Sequence, residues 1–76
     1  MKIYVASRHS LEAYALHPVN VIEVCVTGPD PLGDAKSYAH DYTDAEGEPA
    51  YVYGVDVQFF GRYETVKEVV YRSTPQ

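Results

Sequence analysis

The chain has no tryptophan, one methionine and one cysteine. A lone cysteine excludes an internal disulfide, and with it the stapled scaffolds of small secreted domains. A reducing, cytoplasmic setting is the expectation. Bases are scarce as well: six Lys and Arg stand against eleven Asp and Glu, a formal net charge of −5. That shortage disfavours direct contact with nucleic acid, which needs a basic footprint. It equally disfavours attraction to an anionic membrane surface. No apolar run approaches the roughly 20 residues of a membrane-spanning helix. The run Ile3–Ala6 meets Ser7, Arg8 and His9 too early for the core of a secretory signal, so none is expected.

Catalytic signatures are missing too. His9, His17 and His40 have no paired spacing, and there is no Cys-x-x-Cys. Ser7, Ser10 and Ser37 lie in no nucleophile elbow. In Gly28–Gly33 (GPDPLG) two prolines remove donors that a phosphate cradle would use. An EF-hand loop begun at Asp41 or Asp44 fails, because no glycine falls at its sixth position. Cys25 sits between apolar neighbours and is expected in the core, where burial suppresses the thiolate. No catalytic, cofactor-binding or metal-ligating residue is therefore assigned. With 76 residues the chain is one domain, 1–76, holding one modest core that a deep substrate pocket would consume. A non-enzymatic binding module is expected ahead of an enzyme, and a monomer ahead of an oligomer.

What the chain does have is tyrosine, eight of them. Two of them, Tyr51 and Tyr53, lie in the clearest structural signal, Ala50–Phe60. Tyr51, Tyr53, Val55, Val57 and Phe59 share one parity there, the period of two of a half-buried strand. That parity is predicted to face the core. Lys2–Ser7 reads as a strand apolar on both faces, suited to a sheet interior. Asn20–Thr27 reads as another, with Ile22, Val24 and Val26 on its apolar face and Val21, Glu23 and Cys25 opposite. Ser10 is the predicted cap of a short helix over Leu11–Leu16 that Pro18 ends. Asp34 is the predicted cap of a second helix, in which Ala35, Tyr38, Ala39 and Tyr42 form the buried stripe and Lys36, Ser37, His40 and Asp41 face water. Asp44–Pro49 (DAEGEP) reads as a polar turn and Phe60–Glu64 as another turn. Thr65–Arg72 fits both a capping box with helical spacing and a β-rich segment; strand is chosen. The predicted fold is α+β: a mainly antiparallel sheet of three to four strands with one or two short helices on one face, in the order β-α-β-α-β-β.

Charge is unevenly placed. Asp30–Asp56 holds seven acids and one base, Lys36, a local balance of −6, while the rest balances at +1. If Asp44–Glu48 were extended, alternate carboxylates would repeat every ~6.6 Å. Such a row can stand in for phosphates against an Arg/Lys groove. The alternative is a solvated face that keeps a small protein soluble. Asp34, Asp41, Asp44, Glu46, Glu48 and Asp56 are the candidate partner-binding residues, with Tyr38, Tyr42 and Tyr51 at their edge.

In its length, single cysteine, acid-rich Asp30–Asp56 segment and Tyr-rich strand YVYGVDV, the chain resembles the small acidic inhibitors that phages encode, of the anti-CRISPR type. The resemblance implies a protein that binds a host nucleoprotein complex, a CRISPR effector, and blocks its nucleic-acid site by imitating phosphates. AKSYA followed by YVYGVDV is similar to the helix-then-strand step of small ADP-ribosyltransferase-like domains, which implies a transferase-like enzyme fragment instead. An antitoxin-like or other interaction module with a basic partner is the third reading.

Overall fold

The computed structural model describes residues 2–56 and 67–76. Four strands form one antiparallel sheet: β1 (Lys2–Ser7), β2 (Val21–Cys25), β3 (Ala50–Asp56) and β4 (Lys67–Ser73), in spatial order β2-β1-β3-β4. Two helices, α1 (Glu12–Ala15) and α2 (Pro31–Glu46), complete the predicted α+β order. The strand reading of Thr65–Arg72 holds over β4, while Thr65 and Val66 lie outside the described residues, as do Val57, Phe59 and the predicted turn at 60–64.

β1 and β3 form the centre of the sheet, and their side chains alternate between two cores. Tyr53 and Val55 are buried with Val5 and Ala15, as their parity predicts. The other parity of β3 is buried too. Ala50 and Val52 pack with Ala6, Cys25, Ala35 and Ala39 beneath α2. The half-buried strand read from the pattern is thus buried on both faces, because α2 covers one and the segment around α1 covers the other. That segment is tied down by polar bonds. The Tyr53 hydroxyl donates to the His9 carbonyl at 2.8 Å, and Ser7 Oγ donates to the Ala15 carbonyl at 2.8 Å.

β2 differs from its expected facing. Val24 and Val26 were predicted in the core, but they are 43% and 41% exposed. Cys25, on the opposite parity, is buried, and Ile22 is partly buried beside it. The pairing with β1 is irregular between Ala6 and Ser7. A bulge of this kind shifts the alternation by one residue, so Ile22 joins the core of Cys25 and Val21 turns to the other. Position adds to it: β2 ends the sheet, so among the described residues no further strand flanks its Val24 face.

The helices begin and end elsewhere than their sequence signals suggest. Ser10 does not cap α1; Leu11 occupies the cap position without a side-chain bond, and its N–H donates to His9 Nδ1 at 3.1 Å. Asp30, not Asp34, caps α2, its carboxylate accepting from the Gly33 N–H at 3.0 Å. Pro31 then opens the helix, where a missing N–H costs nothing. At the other end α2 runs through Asp44 and Glu46 to Gly47, whose φ of 69° is the left-handed stop that glycine supplies. Gly54 matters for close approach. A Cβ there would stand 3.0 Å from Lys2 Cε, and its absence lets Lys2 reach across β3 to Glu68 at 2.8 Å.

Candidate functional site

α2 is seated by small residues. Ala35, Ala39 and Thr43 are buried at four-residue spacing, so the helix backbone lies close to the sheet. Thr43, rather than Tyr38, completes that stripe; Tyr38 is 45% exposed. Tyr38 lies on the shoulder of the helix above β2, where it joins Asp34, Ser37 and Asp41. Residues 34, 37, 38 and 41 recur at i, i+3, i+4 and i+7, the spacing of one helix face. Across from them β2 contributes Glu23, Val24, Cys25 and Val26, and Thr27 follows; together these residues line an open groove. Its lining contains three carboxylates, from Glu23, Asp34 and Asp41, and no base.

The candidate acids do not form one surface. Asp34 and Asp41 share the groove beside β2. Asp44 lies one turn on and ~60° round α2 from Asp41, where its carboxylate meets His40 Nδ1 at 3.2 Å and borders a second concavity that also includes Arg72. Glu46 ends the helix, and Glu48 in the following turn accepts from the Tyr42 hydroxyl at 3.4 Å. Asp56 ends β3 opposite Lys2, six residues along the strand from Ala50 and so ~20 Å away. The extended acidic row over Asp44–Glu48 is not formed. Asp44 and Glu46 are helical, so they are ~3 Å apart along the axis and point ~200° apart around it. The composition of this segment concealed the helix: a run of polar residues read as a turn, although Asp44 and Ala45 continue the periodicity until Gly47 stops it.

Glu23 was not among the candidates. Its parity in β2, opposite Val24 and shared with Cys25, was legible, but its closeness to α2 comes from the sheet's edge position. Both Glu23 and Asp34 act on Cys25. Burial pushes the thiol up, and the charges of Asp34 and Glu23 push it further in the same direction. The thiol therefore stays protonated at neutral pH and is a packing group, the opposite of an activated nucleophile.

The one base of Asp30–Asp56, Lys36, turns to the β3–β4 side of the molecule. Lys36 Nζ lies 5.4 Å from the centre of the Tyr71 ring, and the Arg72 guanidinium 5.5 Å from that of Tyr51. Both rings belong to the β3–β4 half of the sheet. Among the described residues no three His, Cys, Asp or Glu side chains gather into a cluster able to hold a metal ion. Among the same residues no helix is long and apolar enough to cross a membrane. No protein-family model matches the chain, and no curated protein or solved structure matches it significantly.

Proposed function

We propose that this chain is a non-enzymatic inhibitor of the anti-CRISPR type, acting in the cytoplasm of a host cell by stoichiometric binding to the basic nucleic-acid-binding surface of a protein complex. The observation that carries the reading is the groove between β2 and α2, whose lining holds Glu23, Asp34 and Asp41 without a compensating base. Asp34 and Asp41 are seven residues apart on one helix, ~10.5 Å along its axis. That separation is about three phosphate steps of a nucleic-acid strand at ~3.4 Å each. The rigid helix sets the spacing, so little conformational entropy is lost when Arg or Lys side chains engage it. Inhibition is competitive: a basic channel that has closed on these carboxylates cannot hold nucleic acid. Exposed charges are screened by salt, so the complex weakens as ionic strength rises.

The test is a variant carrying Glu23→Lys, Asp34→Lys and Asp41→Lys, checked for folding by circular dichroism. It is added to a CRISPR effector in a nucleic-acid competition assay at low and high salt. The parent is expected to displace nucleic acid and the variant to leave it bound. A folded variant that displaces nucleic acid as well as the parent does would reduce the acidic groove to a solubility device.

A further inference from the structure

β2 closes the sheet on one side, and a single hydrogen bond shows how that margin is left. The Val24 N–H donates to the carboxylate of Glu23, its own neighbour, at 3.2 Å, in place of a strand carbonyl. β2 contains neither lysine nor proline, two of the devices that keep edge strands from pairing. Val24 and Val26 stand exposed along it, and the groove beneath α2 runs beside it. An end strand next to an open groove has the shape that receives an added strand.

We propose that the partner segment seated here is an extended peptide bearing alternate Lys or Arg and apolar residues, added to β2 as a fifth strand. This rests on the acidic reading of the groove and supplies its mode of binding. Side chains of an added strand alternate between the two faces of the sheet. Those on the α2 side meet Glu23, Asp34 and Asp41, so they are basic. Those on the other side meet Val24 and Val26, so they are apolar. A carbonyl of the incoming strand takes over the Val24 N–H and frees the Glu23 carboxylate for a cation. A second copy of this chain is the poorer occupant, because pairing β2 with β2 brings both sets of acids together, and like charges across a strand pair are destabilising.

The probe is a short synthetic peptide alternating Lys and Val, titrated into the protein, with two relatives. One is N-methylated at alternate residues, which removes donors and keeps charge. The other replaces Lys with Glu. The Lys peptide is expected to bind, and its methylated form to bind roughly tenfold more weakly, the loss of one or two net hydrogen bonds. The Glu peptide is expected not to bind. The bound Lys peptide is further expected to slow exchange of the Val24 and Val26 amides. Equal binding of the methylated peptide would overturn strand addition and leave the acidic surface standing. Lys-peptide binding that survives the triple lysine variant would instead remove the acidic reading itself. Val24→Pro gives a second arm: it deletes the edge donor, and a folded variant should lose affinity for the Lys peptide alone. Sedimentation showing a dimer that Val24→Pro dissolves would assign the edge to a second copy and overturn the proposal.

Discussion

The two margins of the sheet expose similar amounts of apolar side chain and differ in how their charges are arranged. Val24 in β2 and Val26 just after it are exposed; on β4, Val69 and Val70 are. Around β4 the charges are mixed and engaged: Glu68 binds Lys2, Arg72 lies over Tyr51, and Lys36 reaches Tyr71. The β4 pairing is also irregular opposite Val52 and Tyr53, a bulge that twists an edge away from further pairing. In the groove beside β2 the charge is of one sign, although β2 too pairs irregularly, opposite Ala6 and Ser7. Apolar exposure alone would not distinguish the two edges. The sign and engagement of the neighbouring charges do.

The largest expected effect comes from the centre that both edges share. Val55→Asp places an unpaired carboxylate between Val5, Ala15 and Tyr53, where burial of a charge costs more than a domain of this size can offset. No cooperative thermal transition is expected. A parent-like melt would mean that the face carrying α1 is not a core, and the comparison of edges would lose its common reference.

Next comes the cap that holds the β2 side of α2. Asp30→Ala removes the acceptor of the Gly33 N–H and should cost ~1 kcal/mol. The loss is local to the first turn, which carries Asp34. Hydrogen exchange should therefore speed up around residues 33–35 and stay unchanged in β4. Equal acceleration at both margins would show that the two sides are not independent.

Cys25→Ala is a comparable perturbation, ~1–2 kcal/mol at most, within the range of ordinary single substitutions. The thiol also adds a pH signature on the β2 side. Its folded pKa is raised, so the fold favours the neutral form. The stabilisation is complete below the unfolded value of about 8.5 and is lost as pH rises from there through the folded value. The parent should lose more melting temperature than Cys25→Ala above about pH 8.5. Parallel pH profiles for the two proteins would place the thiol in water rather than beneath α2.

The smallest effect belongs to the β4 side. Glu68 raises the Lys2 pKa through a hydrogen bond and through its charge, yet the lysine is exposed to solvent. Lys2→Met should leave the melting temperature unchanged within error, as exposed ion pairs generally do. A clear drop would mean that engaged charges stabilise the β4 margin as well as occupying it.

Much of this architecture is legible in the chain. Period-two patterns located β1 and β3, and β-branched residues correctly outweighed a capping box in β4. The misreadings share a cause. Asp34 was taken for a cap because GPDPLG looks like a loop, although Asp30-Pro31 is itself a cap followed by a first-turn proline. Asp44–Pro49 was taken for a turn because it is polar, although polar residues are what the outer face of a helix carries. Tyr38 was assigned to the core and Thr43 was not, since hydrophobicity outranks size in a sequence pattern and close packing against a sheet reverses that order.

The amino-acid sequence by itself determined the strands, the acidic balance of Asp30–Asp56 and the unreactive setting of Cys25, because alternation, composition and apolar neighbours act over a few residues. Only the tertiary structure decided which strand lies at an edge, which face of β2 is covered, and that Glu23 joins Asp34 and Asp41 while Asp44 and Asp56 do not. Those outcomes depend on strand order, on a register irregularity and on the rotation of α2 against the sheet. Each is set by packing between segments far apart in the chain, which no local spacing of residues records.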